Sequence, residues 1–424
     1  VIKINKQIKT TNLLIISLFL FLATLYLVTV EQLQFAKVLI FPLFFIVVLF
    51  LNMADNYIEK RKFSINHLLW FFTTIPITFS LMYTYSMVNS IEFAATYILI
   101  IMIFALLSFR EDYYYNFTKL HLIFSCFIVF MTFFSYISFD VFSQIVLPFL
   151  TEGAQRQTTY FNQIGLSSGV SGQSGTNAFL ISTGLGILMI KRKNLVNWII
   201  ILCFIFALML SGKRIFIIAN LASLIIVYWF FYTNHSFLKK TMLSTFFTIM
   251  MIILIIIYSE DIINFFELNA NNFASGRFEL YLYAWELFTQ KPFLGWGINS
   301  FAELSFDNVF AGRGIDVHNV YLQLLTEMGI FGAFIITFVL ISTLIYTIYL
   351  NFQNNGNSSE IIEVLQVSTY MQSLFLFYSV TGNPFYNYNF LMIYLMFVAP
   401  LYIVQLKLKN KPQNNNFIKD ETYD

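Results

Sequence analysis

Three polar residues stand out in a chain that has few to offer: Arg214, Arg277 and His318. Arg214 follows Ser211-Gly212-Lys213 and opens an apolar stretch, and Arg277 follows Ala274-Ser275-Gly276 and opens an aromatic-rich one. His318 opens a long apolar segment that runs to Leu350. Each is therefore expected at a helix N-terminus, where free N–H groups and the helix dipole favour an anion. Two guanidinium groups and one imidazole so placed form a set suited to holding negative charge beside a proton acceptor. Taken singly, each has a plainer reading. An arginine at a membrane boundary is often a snorkelling anchor, Arg277 has Glu279 and Glu286 as ion-pair partners, and a lone histidine at a helix start is usually a cap. Their agreement in side and in helix polarity makes them a candidate site, since His67, His121 and His235 all map to the opposite side.

Other chemistries find little support. A zinc site needs a cluster of His, Cys or carboxylates at ligand spacing, and the same loops hold one histidine. Glu303, Asp307 and Asp316 are conceivable Mg²⁺ ligands, yet acidic residues in a solvated loop are commonplace. Nucleophile-triad, phosphate-loop and dinucleotide signatures are absent from the sequence, so no metal and no cofactor are expected. Cys126 and Cys203 sit inside apolar runs, which argues against a disulfide framework.

The elements that must position these residues are membrane helices. Of the 424 residues 58% are hydrophobic and only 11% charged, against about 25% charged in a soluble domain. With 24 Lys+Arg against 22 Asp+Glu the formal charge is +2, too balanced for a nucleic-acid binder. Spanning runs are expected at roughly 12–30, 35–53, 67–87, 91–109, 119–139, 176–190, 196–210, 215–232, 241–258, 319–350, 361–381 and 386–405. The fold class is thus an all-α polytopic membrane protein of about 12 transmembrane helices. With the N-terminus in the cytoplasm, 17 of the 24 basic residues fall on the inner side, which supports this orientation and a cytoplasmic C-terminus. Four regions follow: helices 1–9 over 1–258 with an outer loop at about 140–175, a large outer loop at 259–318, helices 10–12 over 319–406, and a disordered cytoplasmic tail at 407–424. The large loop should contain short helices, because Phe278, Tyr281, Leu282, Trp285 and Phe288 recur at helical spacing. On the helix after His318, Leu322, Leu325, Gly329 and Gly332 should share its face, with the two glycines admitting a neighbouring helix.

His318-Asn319, nine residues, then Gly329, two residues and Gly332 resembles the signature of the bacterial O-antigen polymerase and ligase family. The segment Lys291-Pro292-Phe293-Leu294-Gly295-Trp296-Gly297 and the turn Ser211-Gly212-Lys213-Arg214 resemble the family as well, although Lys213 stands where a serine is often seen. The resemblance implies a GT-C-like glycosyltransferase in the bacterial inner membrane with its active site on the extracytoplasmic face. Its donor would be an oligosaccharide on undecaprenyl diphosphate, and its essential residues would be Arg214, Arg277 and His318. Arg156, Lys213, Lys291, Arg313 and Asn319 are accessory candidates for substrate binding. The arginines would stabilise charge building on the diphosphate, and His318 would take the acceptor's proton in a one-step inverting transfer. Polymerase is the favoured activity, in the biosynthesis of O-antigen, capsule or other polysaccharide, with a second lipid-linked repeat unit as acceptor. A chain-length regulator and a flippase are the implied partners. The alternatives are an O-antigen ligase, a protein oligosaccharyltransferase and a lipid-linked oligosaccharide flippase. Transporters place ionisable groups mid-membrane, whereas here they gather on one face.

Overall fold

A computed structural model describes residues 2–57, 62–191, 194–231, 245, 277–308, 315–354 and 358–409. It is helical throughout these segments, with one isolated bridge between Val30 and Leu150. In chain order the helices are α1 (Ile2–Tyr26), α2 (Gln34–Ala54), α3 (Ile65–Phe72), α4 (Thr74–Ser80), α5 (Met87–Ser108), α6 (Tyr113–Ile137), α7 (Phe139–Ile145), α8 (Glu152–Gln163) and α9 (Ser174–Ile190). They continue with α10 (Leu195–Leu210), α11 (Arg214–Phe231), α12 (Arg277–Gln290), α13 (Phe301–Asn308), α14 (Val320–Asn354), α15 (Ser359–Tyr378), α16 (Tyr388–Val398) and α17 (Leu401–Lys409). Five stretches among the described residues are long and apolar enough to cross a membrane: Met87–Ser108, Tyr113–Ile137, Arg214–Phe231, Val320–Asn354 and Tyr388–Lys409. Shorter apolar helices accompany them, so the chain is a multi-pass membrane protein. The expected run at 241–258 lies outside the described residues, as does the tail beyond Lys409.

Proline explains where two expected spans divide. The run at 67–87 breaks into α3 and α4 at Thr73, because Pro76 has no N–H for the carbonyl of Phe72. The run at 386–405 breaks between α16 and α17 at Pro400, and the carbonyl that Pro400 leaves free, that of Met396, accepts from the Tyr113 hydroxyl at 3.0 Å.

The connections sort into two ends of the bundle, in the alternation the apolar runs imply. At one end Arg110, almost fully buried, pairs with Asp55 at 3.1 Å and Asp112 at 2.9 Å, while Lys191 meets Glu363 and Lys407 meets Glu360. At the other, the Thr151 N–H donates to the Thr29 carbonyl at 2.8 Å, Tyr85 N–H to Trp296 at 2.9 Å and Val320 N–H to Ser379 at 2.9 Å. The stretch 140–175 is folded, containing α7 in part and α8. The described part of the large loop has its own small core of Leu280, Ala284, Leu287, Phe301, Leu304 and Val317. The buried face of α12 is thus 280/284/287, and Leu282 and Trp285 of the expected stripe stay exposed.

The segment after His318 departs most from expectation. It does not form one straight helix: α14 is broken at Gly329, whose φ of 61° and ψ of −171° are non-helical. The carbonyls released at the break are taken by the loop 291–297. Trp296 N–H donates to Thr326 at 3.1 Å, Gly297 N–H to Glu327 at 2.7 Å, and Ile330 N–H returns to Pro292 at 2.8 Å. What approaches Gly329 is therefore loop backbone, not a neighbouring helix: a Cβ there would lie 2.2 Å from the Phe293 carbonyl oxygen. Gly295 answers from the other side, where a Cβ would lie 2.4 Å from the Glu327 carbonyl carbon. Because α14 turns at residue 329, the face shared with His318 ends there. Gly332 is confined differently: its φ is helical, but a Cβ there would lie 2.6 Å from the Cβ of Met328, which its backbone holds in place. Gly329→Ala combines a left-handed φ with a backbone clash, and the expected cost is about 2–3 kcal/mol or more. Thermal unfolding of the purified protein in detergent should show a large drop for Gly329→Ala; a variant as stable as the wild type would contradict the interlock.

Candidate functional site

A cavity of about 710 Å³ opens at the end of the bundle that carries α8. One wall holds Lys213, Arg214 and His318, brought together from positions more than a hundred residues apart. The lining continues with Gln157, Tyr160 and Phe161 of α8 and with Gln173, Ser174 and Gly175, the last beside Lys213 and Tyr378, while Tyr378 and Thr381 complete it near the end of α15. Two helices, α9 and α11, begin at this cavity, so free N–H groups and two positive dipole ends face it together with the cationic side chains.

Local sequence places each group. The turn Ser211–Lys213 ends α10 and starts α11, and it docks on the preceding connection through Ser167 N–H to the Leu210 carbonyl at 2.9 Å. Arg214 is the first residue of α11, as its sequence position implies, and its side chain is exposed.

His318 lies two residues ahead of α14 rather than opening it, and its backbone is left-handed, with φ 58°. Histidine tolerates this region better than most residues, but it still stores strain of about 1–3 kcal/mol that the surroundings must hold. The holding contacts are clear. Asn319 Oδ1 accepts the Leu322 N–H at 3.1 Å and so caps α14, and Val320 N–H is bound to Ser379. The Val317 N–H donates to Gln323 Oε1 at 3.3 Å, which also accepts from Asn383 Nδ2 at 2.9 Å.

Behind Gln323 stands Glu327, fully buried, which the sequence reading missed. Its carboxylate accepts the Asn299 N–H at 2.7 Å, the Phe301 N–H at 3.0 Å and Gln323 Nε2 at 3.1 Å. It thus ties the N-terminus of α13 to the helix below His318. A carboxylate in an apolar run, four residues after a glutamine, was the available signal.

Among the remaining sequence candidates, Arg156 and Lys291 do not line the cavity. Arg277 is the first described residue of α12, and the residues before it lie outside the described segments. Arg156 lies on α8 but does not line the cavity; it is exposed and pairs with Glu152 at 3.3 Å. Lys291 places its ammonium 3.7 Å from the centre of the Trp296 ring, a cation–π contact that pins the glycine loop to the end of α12. Arg313 lies outside the described residues. Among the described residues no group of three metal-capable side chains occurs. Glu303 accepts from Asn89 at 3.4 Å and Asp316 from Gln323 at 3.2 Å. The residues the sequence did not single out, on α8 and at 173–175 and 378–381, come from the long connection at 140–175 and the C-terminal end of an apolar helix, where nothing but proximity in the fold marks them.

Residues 199–337 match the family model of the O-antigen ligases. The matched stretch spans Arg214, Arg277 and His318 together with the interlocked glycines, so the family resemblance carried by the motif is shown. No curated protein matches the chain.

Asn319→Ala should cost about 1 kcal/mol of stability through the lost helix cap, and Asn319→Asp or Ser should restore it. Thermal unfolding of the three variants checks this; a loss of activity in Asn319→Ser at unchanged stability would show instead that the amide meets substrate.

Proposed function

From a multi-pass membrane chain that carries an O-antigen ligase domain, we propose a glycosyltransferase of the GT-C type that polymerises a lipid-linked glycan on the extracytoplasmic face of the bacterial membrane. The observation that carries this reading is the single cavity on which Lys213, Arg214 and His318 meet at two helix N-termini. The donor is a saccharide joined to undecaprenyl diphosphate, and the acceptor is a hydroxyl of a second lipid-linked repeat unit.

The acceptor oxygen attacks the anomeric carbon while the bond from that carbon to the diphosphate oxygen breaks. The bonding pair leaves with the diphosphate, and the acceptor's proton passes to His318. Charge builds on the diphosphate, so its stabilisation by Arg214 and Arg277 lowers the barrier more than a strong acid would. Arginine suits the task because its fork binds two phosphate oxygens at once and never loses its charge. The neutral imidazole is the form that accepts a proton. Attack opposite the departing diphosphate inverts the anomeric centre.

The ligase reading has in its favour that the matching family model is that of the O-antigen ligases, and it differs only in acceptor. Incubating the purified protein with a lipid-linked repeat unit as sole substrate separates the two. A ladder on a gel establishes a polymerase, whereas transfer only after lipid A-core or a protein is supplied makes it a transferase to that acceptor. His318→Ala and Arg277→Ala are each expected to abolish product while membrane levels stay normal. Unaltered chain-length distributions in both variants would reject the mechanism.

A further inference from the structure

The cavity has more room and more chemistry than a diphosphate needs. Its volume of about 710 Å³ lies within the range of sites that enclose whole small molecules, about 300–1,000 Å³. Lys213 and Arg214 account for phosphate, but the lining contributed by α8 and residues 173–175 has no charged side chain: it is built of amides, hydroxyls and aromatic rings.

Helix α8 explains how that wall is oriented. Ala154 and Thr158, one turn apart, are buried, with Thr158 Oγ1 3.1 Å from Ser168 Oγ and Ala154 set against Gly172. Thr151 caps the helix and Gln155 Nε2 donates to the Leu150 carbonyl at 2.7 Å. With that face fixed, Gln157, Tyr160 and Phe161 fall at i, i+3 and i+4 and share the face toward the cavity. The charged pair Glu152–Arg156 is left pointing to solvent at more than four-fifths exposure on both side chains. The helix thus turns its charges away from the cavity and its neutral hydrogen-bonding groups into it. Tyr160 remains 57% exposed beside the cavity rather than packed in a core.

We propose that Gln157, Tyr160 and Phe161, with Gln173 and Ser174, form the saccharide-recognition wall of this cavity and set which sugar is accepted. This rests on the glycosyltransferase reading above and assigns the half of the cavity which that reading leaves unused. Each glutamine amide both donates and accepts, which suits vicinal sugar hydroxyls. The rings of Tyr160 and Phe161 offer flat apolar faces to the C–H side of a pyranose, with the tyrosine hydroxyl as a polar handle. With the diphosphate held at Lys213 and Arg214, the sugar it carries extends along this uncharged lining, with His318 in the same cavity.

The test uses the full-length protein in nanodiscs and two probes: bare undecaprenyl diphosphate, and the undecaprenyl-diphosphate-linked repeat unit purified from the source bacterium. The wild type is expected to bind the glycosylated lipid about tenfold more tightly than the bare one. Tyr160→Ala and Gln157→Ala should erase most of that difference with the affinity for bare lipid unchanged, while Tyr160→Phe keeps most of it. Both sites of substitution are exposed, and the melting temperature confirms folding. Retention of the full difference in both alanine variants would overturn the proposal, as would an equal loss for both probes. If the wild type binds neither lipid, the glycosyltransferase reading itself fails and the wall with it, an outcome distinct from a wild type that binds both lipids equally, which refutes the wall alone.

Discussion

The backbone interlock between the loop 291–297 and the break in α14 is the constraint on which the rest of this end of the protein depends. A helix interrupted at Gly329 leaves carbonyls without their i+4 partners, in a place where an unpaired carbonyl costs as much as a lost hydrogen bond. The loop supplies N–H groups from Trp296 and Gly297 and takes one back at Pro292. The exchange requires main chains to touch, so both contact points must lack a Cβ. Lys291 clamps the loop further by its contact with Trp296, whose Nε1 donates to the Leu287 carbonyl at 2.9 Å.

From this junction the order passes upward to His318. Glu327 sits at the break, and its two oxygens satisfy the N–H groups of Asn299 and Phe301 as well as Gln323. Gln323, one turn higher, reaches the backbone of Val317 and the side chain of Asn383. The left-handed turn at His318 is thereby braced from its own helix, from the large loop and from the segment after α15. A strained conformation persists only when its surroundings over-determine it, and here three separate elements do so.

The lining of the cavity divides the labour. Charge is concentrated where α11 begins, on Lys213 and Arg214, and α8 keeps its charged pair out of the cavity lining. The glycine interlock and the capping of α14 by Asn319 act from outside the cavity, holding the imidazole without lining the pocket.

Much of this was legible in the chain itself. Runs of apolar residues long enough to span, with few charges, dictate a helical membrane protein because backbone polar groups in lipid must be satisfied within each segment. The position of Arg214 at a helix start follows from the local turn signal alone, whereas His318, expected to open its helix, stands two residues ahead of it. The breaks at Thr73 and Pro400 were also written there, in Pro76 and Pro400, but hydropathy averages over a single missing N–H. What no local pattern determined is which distant segments meet. The aromatic and amide face of α8 joins Lys213, Arg214 and His318 only because Ala154 and Thr158 anchor that helix against 168–172. The need for Gly329 and Gly295 lies in backbones that touch from across the large loop, not in the packing of two helices. Periodicity reports one segment's own preference. Proximity between segments is a property of their joint packing, and it was decided by the tertiary structure.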